Sequence, residues 1–427
     1  MKSSFISQAS YLFVCLFLVN VGNYLLNLVL GRLLGPEIFA EVSILSTVVL
    51  IISFIALAFQ LSSTKHTAKI LSTDKSLLPD AAKWFREKSK TSGVVILILL
   101  GLTFIPVTDY LNLQSPVSYL LIIGGIPAYL IMSVNRGILQ GSDNIRKLGM
   151  SYIIEMLVRV LVSLSLITLC FVSGVEYYSE AVGLGFLLSF LAVYYFSRDT
   201  KTSTEHQEER TFDSKEIVAF MVIVGFYELS QILINNSDLI LVKHYFSNYE
   251  AGLYASLSLI GRVVFFATWS VVGILIPRVV QLRMQNKDHQ GVFMQAMGIV
   301  FSVAILITAT CFFFDKLIIQ LAFGQEYVAM AHLLWKYAAC TTLFTCANVF
   351  SYYYMSLDKY LPVVLSLGGG VLQIVLIIIF HRSVSLVIQM QLIAMGILLI
   401  SMLIYHFKNV YNNEKIKISN RISLSTR

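Results

Sequence analysis

Apolar runs of about 20 residues recur along this chain, and its charges are gathered into the short stretches between them. A run of that length crosses the hydrocarbon of a bilayer as a helix. In lipid every backbone N–H and C=O must find a partner inside the protein, which leaves helices or a closed barrel. The runs are too long and too uniformly apolar for barrel strands, so they read as transmembrane helices. Composition agrees: of 427 residues, 57% are apolar and 13% charged, where a soluble protein carries about 25% charge. Cys15, Cys170, Cys311, Cys340 and Cys346 all fall inside apolar runs. They form neither a disulfide framework nor a metal-ligand spacing and read as small packing residues. The net charge of +7 points to no nucleic acid; in such a chain the distribution of charge sets topology.

Twelve spans are predicted, at about 9–30, 38–60, 92–112, 116–138, 148–172, 181–197, 217–242, 250–277, 293–314, 332–356, 360–380 and 386–407. Asn20, Gly22, Asn23 and Asn27 interrupt the first run, and no clear small-residue cleavage site follows, so it reads as a retained helix rather than a signal peptide. With both termini inside, twenty-four Lys and Arg fall on the inner side and only four, Arg32, Lys243, Lys316 and Arg382, on the outer. That asymmetry obeys the positive-inside rule and supports span count and orientation together. Residues 79–90 read as an amphipathic helix on the inner leaflet, with Trp84 and Phe85 beside Lys83, Arg86 and Lys88.

The two halves echo each other. Gly31 to Ala40 joins the first two runs, and the stretch around Asn248 to Tyr254 joins the seventh and eighth. Glu37 aligns with Glu250 and Ser43 with Ser256, an offset of 213. Gln140 to Asn144 leads into the fifth run as Met355 to Lys359 leads into the eleventh, an offset of about 215. Six helices per half, starting on the same side, make repeats related by an axis along the membrane normal. The expected division is a first bundle over 1–205, a cytoplasmic linker over 206–216, a second bundle over 217–407 and a basic, disordered cytoplasmic tail over 408–427.

With these motifs in order, the chain resembles the polysaccharide flippases of the multidrug/oligosaccharidyl-lipid/polysaccharide exporter superfamily. The carrying residues are Arg32 to Phe39, Gln140-Gly141, Asp238-Leu239-Ile240, Glu250 to Tyr254 and Phe323 to Tyr327. Ala40-Glu41 departs, because the family more often has Gly followed by an apolar or aromatic residue. The resemblance implies an all-α integral membrane protein whose two six-helix bundles form a V-shaped alternating-access transporter. It implies a flippase carrying an undecaprenyl-diphosphate-linked oligosaccharide from the inner to the outer leaflet of a bacterial cytoplasmic membrane, for O-antigen, capsule or exopolysaccharide. Implied partners are that polyprenyl-linked oligosaccharide, membrane lipids and the polysaccharide polymerase machinery. The multidrug antiporters share the twelve-helix plan and remain the alternative. Lipid II flippases usually carry two further helices, for which this chain has no room.

Charges inside spans are costly and by default face a cavity or a partner. Arg262, mid-span, either pairs with Glu228 at similar depth or holds the diphosphate while Glu228 tunes it. An arginine suits phosphate because its planar fork donates two hydrogen bonds and stays charged. Glu155 and Arg159, four apart, share one helix face as a local ion pair, or Arg159 lines a cavity and takes the headgroup. Asp238, beside Asn235 and Asn236, either couples a proton or sodium ion or caps local structure; Glu228 and Glu155 are the other coupling candidates. Gly124, Gly125 and Pro127 in the fourth span form a hinge or a close-packing seam. Tyr352, Tyr353 and Tyr354 suit an interfacial aromatic belt better than a sugar platform. The sequence carries no nucleotide-binding loop, metal-ligand cluster or nucleophile–base arrangement, so neither an enzyme nor a cofactor is expected.

Overall fold

The computed structural model describes residues 2–198, 214–285 and 287–425. Every regular element among them is helical. α1 (Lys2–Thr73) is two helices in one, broken at Gly35, whose φ of 73° and ψ of 171° suit glycine alone. α2 (Leu78–Leu102) and α3 (Phe104–Tyr110) meet at 65°. α4 (Pro116–Gly141), α5 (Ile145–Ser173) and α6 (Tyr178–Ser197) complete the first half. The second half has α7 (Ser214–Tyr245), α8 (Asn248–Gly261), α9 (Val263–Met284) and α10 (Gln290–Phe313). It continues with α11 (Asp315–Ala322), a 3₁₀ stretch Gln325–Leu333, α12 (Leu334–Met355), α13 (Leu361–Ile379) and α14 (Val384–Ser425). Helical bonding continues across the α8–α9 junction, since Arg262 N donates to Ser258 O at 3.0 Å and Phe266 N to Arg262 O at 3.1 Å.

Splitting α1 at Gly35 and joining α2 to α3 and α8 to α9 gives a rod for each predicted span. By length and composition, eight of the described helices can cross a membrane, or nine with the bent pair, and α1 counts once in that tally. α7 and α12 are not among the eight. They carry polar residues whose side chains are buried: Gln231, Asn236 and Asp238 on α7, Thr341, Thr345 and Asn348 on α12. Apolar side chains instead stand on the outside, with Val172 81% and Leu102 76% exposed. A soluble protein hides such surface; here it is the face offered to lipid.

Contacts divide the chain into two compact units, residues 1–229 with 246–252, and residues 230–245 with 253–427. The division falls inside α7 rather than at the linker ahead of it, most of which lies outside the described residues. The first unit's core shows helical spacing on each element. Leu26, Leu30 and Leu34 face it from the first arm of α1, and Val42, Leu45, Val49 and Ile52 from the second. Ile122, Ile126 and Leu130 of α4 meet Val182, Phe186, Phe190 and Val193 of α6.

The internal echo is visible in the backbone. Asp143 and Asp358 are both left-handed, with φ of 59° and 57°. Asn144 N donates to Leu139 O and Lys359 N to Tyr354 O, each at 2.9 Å, so both helices end in the same bonded turn. Glu41, the departure from the family pattern, is buried. Its carboxylate accepts from the backbone N–H of Gln114 and of Ser115, each at 3.0 Å, satisfying donors at the start of α4.

Three expectations change. Residues 79–90 are the first turns of the continuous α2 rather than a separate surface helix, because Phe85 is buried among Phe59, Val134 and Ile138 and anchors them. The tail expected to be disordered is helical over its described residues, since α14 runs on to Ser425. Tyr353 and Tyr354 are 2% exposed and do not form a belt. Their hydroxyls meet His289 Nδ1 at 2.8 Å and His406 Nδ1 at 3.0 Å.

Candidate functional site

Each unit holds a buried arginine–carboxylate cluster. In the first, α4 and α5 form a helical hairpin about the turn at 142–144, so residues equidistant from that turn face each other. Arg136 thereby meets Ser151, donating from Nε to its hydroxyl at 3.0 Å and from Nη2 to its carbonyl at 2.9 Å. One turn further along α5, Glu155 Oε2 pairs with Arg136 Nη2 at 2.8 Å, and Oε1 pairs with Arg159 Nη2. Arg159 Nη1 also donates to Asn23 Oδ1 at 3.2 Å. Aromatic faces cover both guanidiniums: Tyr152 lies 3.9 Å from Arg136 and Phe186 4.4 Å from Arg159. Tyr152 is held by Gln60, whose Nε2 donates to its hydroxyl at 2.8 Å. The triad Arg136, Glu155 and Arg159 is 4%, 14% and 12% exposed. Two cations and one carboxylate leave it one positive charge in excess, and Arg159 Nε has no hydrogen-bond partner.

The second unit places Asp238 of α7 at 1% exposure. Its Oδ2 accepts from the Tyr254 hydroxyl at 2.7 Å and the Tyr337 hydroxyl at 2.8 Å. Arg262 Nη2 stands 3.6 Å from Oδ1, and its Nη1 donates to Asn236 Oδ1 at 3.3 Å. Gly261 lets Tyr337 lie against the helix, since a Cβ there would strike the ring. Arg262 Nε has no hydrogen-bond partner. Here one cation meets one carboxylate at long range, with phenols solvating the anion.

The structure brings Arg159 and Glu155 together as the sequence suggested and adds Arg136, which stands at the inner end of the fourth predicted span and was not singled out from the sequence. Arg262 finds Asp238 as its acid rather than Glu228, which belongs to the first unit and is half-buried. Lys243, counted as an outer charge, is fully buried at the end of α7. In α4, Gly125 and Pro127 lie at close approaches: a Cβ on Gly125 would press on Phe190, and Gly93 packs on Pro127. Gly124 has open space around it. No group of three or more metal-binding side chains occurs among the described residues. Sequence reasoning missed Tyr254 and Tyr337, which come from other helices; the hairpin symmetry about 142–144 was the available signal for Arg136.

The fold is that of a known transporter class. It is similar to the inward-facing conformation of a multidrug resistance MATE family transporter of the MOP superfamily, with a TM-score of 0.77, 14% identity, and 93% of this chain and 96% of that one covered. The outward-facing conformation of such a transporter matches with a TM-score of 0.65 and 15% identity, over 96% of each chain. A MATE in the bent conformation matches at 0.66 and 14% identity, over 97% of this chain and 96% of that one. At such identity the likeness establishes the fold alone, an all-α arrangement of helices long and apolar enough to cross a membrane. The family model described as polysaccharide biosynthesis protein matches residues 6–283, and this chain belongs to that family. No curated protein matches it.

Proposed function

We propose that this protein is a flippase that carries a polyprenyl-diphosphate-linked oligosaccharide from the inner to the outer leaflet of a bacterial cytoplasmic membrane, with both termini inside. The observation that carries this reading is the surplus positive charge of Arg136, Glu155 and Arg159, buried in a span region and holding an unused guanidinium donor. A buried excess cation is costly unless an anion visits it, and a diphosphate is such an anion. Arg159 is assigned to receive the headgroup and Arg262 to hold it within the second unit. Glu155 and Asp238 keep those arginines oriented; Asp238 and Glu228 are the groups assigned to a coupling proton or sodium ion. The oligosaccharide then passes to the polymerase machinery outside, with no covalent chemistry by this chain. A cation-exporting antiporter is disfavoured by the same observation, because it needs surplus carboxylate where this site has surplus arginine.

The test is deletion in the host, measuring surface polymer and lipid-linked repeat unit in the inner membrane. Loss of polymer with accumulation of the repeat unit is expected, rescued by wild type and not by Arg262→Ala at normal abundance. Normal polymer with new sensitivity to cationic dyes would replace the flippase with the antiporter.

A further inference from the structure

The first unit contains a groove of about 660 Å³ that the arginine triad does not use. Three helices build it, each with one face. Phe54 and Phe59 come from the second arm of α1, Trp84 and Lys88 from α2, and Val222 and Phe226 from α7. Trp84 and Lys88 are four apart, one helical turn, so they share a stripe. Of its lining, Phe59 belongs to the buried cluster with Ala82, Phe85 and Val134, and Ile55, Trp84 and Met221 pack against that cluster. The volume lies within the range of about 300–1,000 Å³ usual for small-molecule sites. Its lining is apolar except for Lys88 and Ser92, and no carboxylate lines it.

A hydrocarbon groove flanked by one cation is complementary to a single-chain amphiphile with an anionic end. Lys88 lies one turn before Ser92, where the predicted span begins, so the cation stands at headgroup level and the groove runs from there into the hydrocarbon layer. We infer that this groove binds the phosphate-proximal part of the polyprenyl chain, with Lys88 facing the phosphate, and so keeps the tail on the protein while the head moves. The inference rests on the flippase reading and extends it to the lipid tail.

Gly225 makes the groove testable. It lies on the α7 wall, and a Cβ there would meet only Phe54, at 4.0 Å. Gly225→Leu therefore fills the groove without a backbone clash, and leucine favours helix over glycine. The probe is a polyprenyl diphosphate with a diazirine in its first isoprene units, photolysed with the purified full-length protein in nanodiscs. Wild type is expected to label on α2 or α7 peptides. Polyprenyl phosphate should compete, whereas excess phosphatidylglycerol should not. Gly225→Leu should weaken labelling about tenfold at an unchanged melting temperature, and Lys88→Gln should weaken competition by the phosphate. If Gly225→Leu lowers the melting temperature, Val222→Phe replaces it, since Val222 is 49% exposed. Undiminished labelling of the filled groove, or equal competition by phosphatidylglycerol, overturns the inference. Complementation separates it from its parent: full rescue of a deletion strain by Gly225→Leu removes the groove alone. A deletion strain that accumulates no linked oligosaccharide removes the flippase reading.

Discussion

Glu155→Gln is the most informative single change, because one carboxylate serves two buried guanidiniums. Its oxygens pair separately, Oε2 with Arg136 at 2.8 Å and Oε1 with Arg159. Neutralising it takes the cluster from a net charge of +1 to +2 and leaves Arg136, 4% exposed, without its acid. Removing one partner of a buried ion pair costs about 3–5 kcal/mol, against a total stability of about 5–15 kcal/mol for an ordinary domain. Arg159→Gln is the contrast. It leaves a neutral Arg136–Glu155 pair and forfeits charge-assisted hydrogen bonds worth about 1–3 kcal/mol. Thermal unfolding of the purified variants, together with membrane abundance and surface polymer, reads both effects. Glu155→Gln is expected to melt far below wild type and lose export. Arg159→Gln should melt modestly below wild type, well above Glu155→Gln, and still lose export. The double variant should recover part of the stability lost by Glu155→Gln, since it removes the unbalanced cation as well. Arg159→Gln melting below Glu155→Gln, or Glu155→Gln melting with wild type, would refute the assignment of Glu155 as the shared counterion.

Tyr254→Phe and Tyr337→Phe each remove a hydroxyl that donates to Asp238 Oδ2. Each should cost about 1–3 kcal/mol, and the pair should be non-additive in a thermal double-mutant cycle; strictly additive effects would mean that the two phenols do not share the carboxylate. Gly252→Ala would drive a Cβ into the carbonyl oxygen of Pro36, so folded protein in the membrane should fall sharply by size-exclusion yield. Gly124→Ala meets nothing within 4 Å and should keep its melting temperature; lost export at that unchanged temperature would support the hinge, and wild-type export would remove Gly124 from it.

The sequence by itself determined the spans and the twofold echo, because these signals are local. A run of apolar residues declares its own need for lipid or core, whatever packs beside it. Gly35 and the paired Asp143 and Asp358 were legible for the same reason: a break or a left-handed turn is fixed within a few residues. Glu155 with Arg159 was legible because four residues make one turn of helix. Only the tertiary structure decided that Arg136 completes that pair, that Asp238 rather than Glu228 faces Arg262, and that Tyr254 and Tyr337 solvate it. Those contacts depend on how each helix is rotated and which neighbour it meets. A polar residue in a span must find a partner, but the sequence states only the need; the packing of other helices around it supplies the answer.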